Sequence, residues 1–230
     1  MTIENEKQLA SIIDHTLLKP EVTSEQIKQL CVEAKQYGFC AVSINPRWIP
    51  LAADLLHGSK VAVGGVVSLP FGADYTKIKV AQAKEAILSG ADEIDMVADL
   101  AAIIEGDEKY LAHQLNAVRK VCHSMRPKVP LKVIIESAAL TREQKIFACQ
   151  TADKIGVDFV KTSTGMHPAG GATIEDVKLM KEYAPHCKVK AAGGIRTAKQ
   201  ALDFLAAGAD RIGTSSGVQI IEQFKAGQIQ

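Results

Sequence analysis

The sequence lacks several features that would define a class of protein by themselves. Its five cysteines are odd in number and contain no CxxC pair, which argues against a disulfide framework and a zinc site. Lys and Arg (27) nearly balance Asp and Glu (26), so no charge excess recruits nucleic acid or an anionic membrane. No segment approaches the roughly 18 uncharged apolar residues of a membrane span, and the amino terminus has no signal-peptide core. These absences predict a cytoplasmic protein with free thiols and small-molecule partners.

The sequence does contain enough apolar residues for one large core. It has 230 residues, of which 47% are apolar, and this size falls within the range of single-domain α/β barrels. No low-complexity linker or shift in composition divides it. We therefore expect one domain spanning residues 1–230.

Short apolar runs alternate with helical patterns along the whole chain. Glycine ends the helical pattern before four of these runs, at the place where a helix C-cap needs a positive φ. These glycines are Gly38, Gly90, Gly156 and Gly208. Eight runs read as strands, namely "IIDHTLL", "FCAV", "KVAVGGVVS", "EIDMV", "LKVIIES", "VDFVKT", "KVKAAGG" and "DRIGT".

The alternation of strand and helix indicates the fold class. Most of the predicted strands are apolar on both faces, as a parallel sheet covered by helices requires. Eight such units without a second domain predict an α/β fold of the (β/α)8 TIM-barrel type. An open doubly wound sheet is the alternative, but it usually has an early glycine-rich dinucleotide turn, and here "LKPEVT" follows the first strand. In a barrel, the active site lies at the carboxyl ends of the strands.

Two lysines stand at strand ends, where core residues would be expected. Lys161 follows the apolar run "DFV" and Lys190 follows "KV". Because side chains alternate along a strand, these lysines and Asp95 of "EIDMV" are predicted to point inward and converge near the top of the barrel. Burial and a neighbouring cation both disfavour the ammonium form, so one amine can be neutral and nucleophilic near pH 7. Such an amine is suited to forming an imine with an aldehyde.

Other charged residues near these positions have a simpler interpretation. Glu93, Lys132 and Glu136 lie on the inward faces of the fourth and fifth strands, and we expect them to form an ion network that only neutralises itself. We expect few carboxylates near the two strand-end lysines. The free energy needed to bury the two ammonium groups therefore exceeds the stabilisation that one shared aspartate provides. Asp14 lies at a strand end, where it lines the mouth of the barrel or acts as a local cap.

Two glycine-bearing loops predict a phosphate site. They follow the seventh and eighth strands, where barrels commonly hold a phosphate on backbone N–H groups and a helix N-terminus. The alternative is that both loops are simply tight turns. The candidate residues are Gly193, Gly194 and Arg196 in "AGGIRT" and Gly213, Ser215 and Ser216 in "GTSSG", with Thr162 and Gly165 of "TSTG" as further donors.

Six segments in this order, "IDHTLLKP", "GADEIDMV", "LKVIIES", "DFVKTSTG", "KAAGGIRT" and "RIGTSSG", resemble the deoxyribose-phosphate aldolase family over nearly the whole chain. The resemblance implies a class I aldolase that needs no metal or other cofactor. Its reaction would be the reversible cleavage of 2-deoxy-D-ribose 5-phosphate to D-glyceraldehyde 3-phosphate and acetaldehyde. It implies that Lys161 forms the Schiff base, that Lys190 lowers the pKa of Lys161, and that Asp95 shuttles protons with Lys190 and a water. It also implies phosphate binding by the two loops and a homodimer or homotetramer.

Two of the places where the chain departs from this family concern phosphate binding and proton transfer. Met166, His167 and Pro168 follow "KTSTG", where some relatives carry a lysine that helps to hold phosphate. No tyrosine follows Tyr183, whereas some members end in a tyrosine that assists proton transfer. Two other functions stay open: another imine-forming barrel lyase acting on a different phosphosugar, and a non-catalytic barrel that binds a sugar phosphate.

Overall fold

Eight parallel strands close into a barrel in the order in which they occur along the chain. This topology confirms the predicted (β/α)8 fold and shows that the open doubly wound sheet is wrong. The computed structural model describes residues 3–228, so the end of the tyrosine-free tail lies outside it. The strands are β1 (Ile13–Leu17), β2 (Ala41–Ile44), β3 (Ala62–Val67), β4 (Glu93–Val97), β5 (Leu131–Ile134), β6 (Phe159–Lys161), β7 (Lys188–Ala192) and β8 (Arg211–Thr214).

Helices cover the outside of the barrel. Helical patterns in the sequence at residues 23–38, 75–90, 141–156, 173–184 and 197–208 predict α2, α4, α7, α8 and α9 of the list below to within two residues at each end. They do not identify α6, which is the longest helix in the described part of the chain. No helix within residues 3–228 has the length and apolarity to cross a membrane. The helices are α1 (Glu6–Ala10), α2 (Ser24–Tyr37), α3 (Ile49–Leu56), α4 (Thr76–Leu88), α5 (Leu100–Glu105), α6 (Glu108–Ser124), α7 (Arg142–Ile155), α8 (Ile174–Tyr183), α9 (Ala198–Ala206) and α10 (Gly217–Lys225).

Capping residues determine where these helices begin and end. Helix α7 begins after Thr141, which forms a reciprocal capping box with Gln144. It ends at Gly156, whose φ of 75° lies in the left-handed region that glycine adopts without a steric penalty. The predicted positive φ is confirmed at all four glycines, since it is also found at Gly38, Gly90 and Gly208.

The two faces of each strand have different partners. On β4, Ile94 and Met96 are fully buried in the apolar core between the strands and the helices. Asp95 lies between them in the sequence and therefore points into the barrel. The strand register pairs Asp95 with Lys132 and Lys161 with Lys190. The barrel interior is therefore where the charged strand residues meet.

Glu136 is an exception to the predicted strand pattern. Strand β5 ends at Ile134, and Glu136 has φ 54° and ψ 57°, a left-handed conformation that is uncommon for any residue other than glycine. Its carboxylate accepts hydrogen bonds from Thr164. The prediction that Glu136 belongs to an ion network with Lys132 is wrong, because the chain leaves the strand before it reaches this residue.

The core packing yields a stability prediction. Replacing Ile94 with Ala removes a side chain that has no exposed surface, and we expect the free energy of unfolding to fall by about 2–5 kcal/mol. Leu88→Ala, at a position that is 67% exposed, is the control and should change it by less than about 0.5 kcal/mol. Urea unfolding followed by circular dichroism measures both. Equal effects would contradict the assignment of Ile94 to the core.

Candidate active site

The barrel interior holds a buried network of charged side chains. All of its members are at most 9% exposed, and they come from six of the eight strands. Hydrogen bonds and ion pairs connect them across the barrel. The carboxylates are Asp14, Glu93 and Asp95, and the cations are Lys132, Lys161, Lys190 and Arg211.

Asp95 lies at the centre of this network. Its Oδ2 accepts hydrogen bonds from Lys161 Nζ at 2.8 Å and from Lys190 Nζ at 2.7 Å. Its Oδ1 accepts from Lys132 Nζ at 2.8 Å. The structure thus brings together the three residues that the sequence predicts as catalytic, while their roles remain predictions.

Asp14 is a second carboxylate beside the lysines. Its Oδ2 lies 2.5 Å from Lys190 Nζ, and its Oδ1 accepts from Arg211 Nε at 2.9 Å. The expectation of only one shared aspartate is therefore wrong, and Asp14 lies in the interior instead of the mouth. Sequence reasoning missed Arg211, which shares the inward face of β8 with Gly213 and which the alternation of that strand would have identified.

Glu93 completes the network at its lower end. Its Oε2 accepts from Lys132 Nζ at 2.6 Å and lies 3.1 Å from Arg211 Nη2. The predicted ion pairing of Glu93 with Lys132 is confirmed.

The charges of the network do not balance when every group is ionised, because four cations face three carboxylates. A surplus buried charge is costly, and the loss of one proton from a lysine leaves three charges of each sign. Burial lowers the pKa of Lys161 to about 8; Asp95 opposes this shift and Lys190 adds to it. Lys161 is therefore the lysine that we expect to lose its proton and so balance the charges of the network.

Lys132 and Asp95 stay charged. Burial favours the neutral form of Lys132, but Asp95 and Glu93 outweigh it and raise the pKa of Lys132. Burial also opposes ionisation of Asp95, yet the ammonium groups of Lys132, Lys161 and Lys190 hold the pKa of this carboxyl well below its usual range. The site therefore combines a fixed anion with an amine that is partly neutral at physiological pH.

A pocket of about 270 Å³ opens on Lys161 at the carboxyl ends of the strands. Its walls come from the segments that follow β1, β6, β7 and β8. Most of the predicted phosphate-binding residues line it, namely Gly165, Gly193, Gly194, Arg196, Gly213 and Ser215. Thr164 of the predicted segment "TSTG" lines it as well, and so does Met166, which the sequence did not predict as a pocket residue.

Several residues of the pocket lining have backbone N–H groups without an acceptor in the described part of the chain. The N–H groups of Gly165, Gly193, Gly194 and Ser215 donate to no acceptor within residues 3–228. The exposed side chain of Arg196 adds a positive charge at the same wall. Free amides beside a cation are the groups that bind a phosphate dianion.

Gly213 has a second role, because it makes room for Lys190. A Cβ atom at this position would lie 3.0 Å from Lys190 Cε and 3.0 Å from Ala192 Cβ. A larger residue would therefore displace the lysine stem. Gly213 contributes both to the pocket wall and to the placement of Lys190.

Two predicted phosphate-binding residues lie outside the pocket lining. The hydroxyl of Thr162 donates to the Ala192 carbonyl at 2.9 Å and accepts from the Ala192 amide at 3.0 Å. Thr162 therefore joins β6 to β7 and has no free donor for the pocket. The N–H of Ser216 donates to Thr214 Oγ1 at 2.9 Å, whereas the N–H of Ser215, which lines the pocket, has no acceptor within residues 3–228.

Carboxylates in the described part of the chain are not arranged as a metal site. No group of three or more His, Cys, Asp or Glu side chains there has the geometry to hold a metal ion. Each carboxylate of the barrel network is instead paired with at least two cations.

Comparison with known proteins identifies the family of the chain. The family model described as DeoC/LacD family aldolase matches residues 9–223, and the chain belongs to this family. Deoxyribose-phosphate aldolase of Thermococcus gammatolerans is 52% identical over 217 residues, which are 93% of this chain and 95% of the relative. The enzyme of the same name from Thermococcus kodakarensis is 50% identical over 221 residues, covering 95% and 97% of the two chains.

A solved structure shows the same fold. The deoxyribose phosphate aldolase of Aeropyrum pernix, described as a tetramer, superposes with a TM-score of 0.89 at 31% identity. The match covers 96% of this chain and 93% of that one.

The pKa of Lys161 should control the reactivity of the site. We expect the reaction of Lys161 with acetaldehyde and cyanoborohydride to rise with pH around a midpoint of about 8. Lys190→Met removes a neighbouring cation and leaves Asp95 to interact more strongly with Lys161, so it should raise the midpoint. Mass spectrometry of the Lys161 peptide across a pH series measures both curves.

Lys188→Met is the matched control for this experiment. Lys188 lies on the same strand and the same face as Lys190, but it is exposed and outside the network. It should leave the midpoint unchanged. If the Lys190→Met curve coincides with the Lys188→Met curve, the charge of Lys190 does not lower the pKa of Lys161, and the prediction is wrong.

Proposed function

We propose that this chain is a class I aldolase that reversibly cleaves 2-deoxy-D-ribose 5-phosphate into D-glyceraldehyde 3-phosphate and acetaldehyde. The observation that carries this proposal is a buried lysine, Lys161, whose pKa is lowered to about 8 and which opens on a pocket with free backbone amides. The amine of Lys161 would form the imine, and the backbone amides would bind the phosphate group of the substrate. The relatives named deoxyribose-phosphate aldolase support the choice of substrate.

The reaction begins with imine formation at Lys161. Its neutral Nζ attacks the C1 aldehyde of the open-chain sugar, and the resulting carbinolamine takes up a proton and loses water to give an iminium ion. Asp95 Oδ2, which lies 2.8 Å from Nζ, places a negative charge beside the cation that forms. This fixed charge stabilises the iminium without any rearrangement of the site.

Cleavage then breaks the bond between C2 and C3. The C3 hydroxyl loses its proton and becomes the aldehyde of glyceraldehyde 3-phosphate, while the electron pair of the broken bond moves to the iminium nitrogen and leaves an enamine. Protonation of the enamine at C2 and addition of water to the iminium release acetaldehyde and restore the amine. Lys190 and Lys161 donate to the same oxygen of Asp95, which provides a short path for these protons.

The phosphate group is bound at the other end of the pocket. We assign it to the free amides of Gly165, Gly193, Gly194 and Ser215, with the Arg196 side chain at the rim. This contact anchors the substrate so that its aldehyde meets Lys161.

We extend the proposal to the organisation of the protein. It comprises one domain over residues 1–230, acts in the cytoplasm and forms a homodimer or homotetramer. The description of the Aeropyrum pernix relative as a tetramer supports the homo-oligomer.

Trapping of the imine tests the proposed nucleophile. Because Lys161 is buried beside Lys190 and Asp95 and borders the pocket, acetaldehyde with borohydride should add an ethyl group to Lys161. Peptide mapping by mass spectrometry identifies the modified residue, and Lys161→Met should abolish both labelling and sugar cleavage. Labelling confined to Lys190 or Lys132 would overturn the assignment.

The phosphate site is tested by comparing two substrates. Arg196→Ala should raise the KM for 2-deoxyribose 5-phosphate about tenfold or more, since a charge-assisted contact contributes about 1.5–3 kcal/mol, and should change kcat/KM for plain 2-deoxyribose little. Arg47→Ala is the control, because the Arg47 guanidinium lies over the Trp48 ring and outside this pocket. If Arg196→Ala weakens both substrates equally, the loop positions something other than the phosphate.

A further inference from the structure

Glu136 is a buried carboxylate in a strained position beside the pocket. It is 1% exposed, and its φ of 54° is one of two positive values found for residues other than glycine in the described chain. The other is at Ser68, which follows β3. Strained conformations of this kind persist where the surrounding structure enforces them, and they are concentrated at functional sites.

The strain directs the Glu136 side chain to one residue of the pocket wall. Thr164 Oγ1 donates to Glu136 Oε2 at 2.5 Å. The Thr164 N–H lies 3.2 and 3.3 Å from the two carboxylate oxygens. Both donors of Thr164 are therefore used by Glu136, so Thr164 itself has none left for a ligand.

Thr164 in turn fixes the turn that contains Gly165. Its Oγ1 accepts a hydrogen bond from the Met166 N–H at 3.0 Å. Gly165 lies between these two residues with a φ of 81°, and its own N–H has no acceptor in residues 3–228. Glu136 thus fixes Thr164 directly and Met166 through Thr164. The N–H of Gly165, which lies between them in this turn, has no acceptor among the described residues.

The backbone on either side of Glu136 is bound to the catalytic strand. The Ile135 N–H donates to the Lys161 carbonyl at 3.1 Å, and the Ser137 N–H donates to the Thr162 carbonyl at 2.8 Å. Because both neighbours are fixed to β6, the left-handed conformation of Glu136 is what turns its side chain toward Thr164. Glu136 is not part of the pocket lining.

We propose that Glu136 is a positioning residue for phosphate recognition: it fixes Thr164, and thereby presents the Gly165 amide to the phosphate group of the substrate. This inference rests on the proposed function and extends it to a residue that does not touch the substrate. The carboxylate acts through geometry, because Thr164 occupies its oxygens and it is shielded from the pocket.

Glu136→Gln tests the proposal without relaxing the backbone, since Gln and Glu tolerate the left-handed conformation about equally poorly. The amide has one acceptor oxygen in place of two and carries no negative charge, so the hydrogen bonds that Thr164 donates to it are weaker than those to the carboxylate. We expect the Kd for inorganic phosphate, measured by calorimetric titration, and the KM for 2-deoxyribose 5-phosphate to rise about tenfold. The kcat/KM for 2-deoxyribose and the labelling of Lys161 by acetaldehyde should change less than about twofold.

Asp176→Asn is the matched control. Asp176 is also a buried carboxylate close to this segment, but it accepts from Ser137 Oγ at 2.9 Å and Lys145 Nζ at 2.6 Å and lies outside the pocket lining. It should leave the phosphate Kd unchanged. Equal weakening by Asp176→Asn and Glu136→Gln would mean that any disturbance of this segment has the same effect, and would overturn the proposal.

Thr164 provides a second pair of variants if Glu136→Gln does not fold. Thr164→Ser keeps the hydroxyl and should keep the phosphate Kd within about twofold, whereas the isosteric Thr164→Val should raise it about tenfold. Similar values for the two variants would overturn the proposal. So would an unchanged Kd in a folded Glu136→Gln protein, or a wild-type protein that does not bind phosphate.

The titration also separates this proposal from the proposed function. If the wild-type protein binds phosphate and Glu136→Gln weakens that binding, the role of Glu136 is supported even where the wild-type protein fails to cleave 2-deoxyribose 5-phosphate. That failure would overturn the aldolase reaction alone.

Discussion

The contact between Asp95 and three lysines is the interaction on which the site depends. In the buried interior of the barrel its two oxygens accept from Lys132, Lys161 and Lys190 at 2.7–2.8 Å. The three ammonium groups keep the carboxyl ionised although burial opposes this. A fixed anion in this place holds Lys161 close to Lys190 without preventing burial from lowering the pKa of Lys161 to about 8. Pairing with Asp95 thus offsets the cost of burying three lysines together, and it leaves the amine of Lys161 partly neutral.

The site combines two kinds of construction. Strand residues supply the amine and its charged neighbours, and the register of a closed barrel holds them in fixed positions. In the proposed function, loop residues supply free amides for the phosphate, and we infer that Glu136, which bonds Thr164 behind the pocket wall, fixes their geometry. In the proposed function, the chemistry and the recognition of phosphate are therefore carried by different parts of the fold, and we expect substitutions in the loops to alter substrate preference with little effect on the amine.

Local sequence patterns predicted a large part of this arrangement. Alternation along β4, β6 and β7 placed Asp95, Lys161 and Lys190 on inward faces, because the period of a strand does not depend on its neighbours. The positive φ of the glycines at helix ends was equally predictable, since few other residues adopt it. The pattern failed at Glu136, where the two-residue alternation continues in the sequence but the backbone leaves the strand.

The sequence by itself determined the number and order of the strands, the direction of their side chains and the residues able to form an imine. The tertiary structure alone decided which charges meet. Asp14 and Arg211 are 197 positions apart in the sequence, and they pair because closing the barrel places β1 beside β8. A local sequence pattern spans only a few residues and cannot predict such a pair. It also decided which amides stay free and that Thr162 and Ser216 do not line the pocket, because hydrogen-bond partners are set by the packing of segments that lie far apart in the chain.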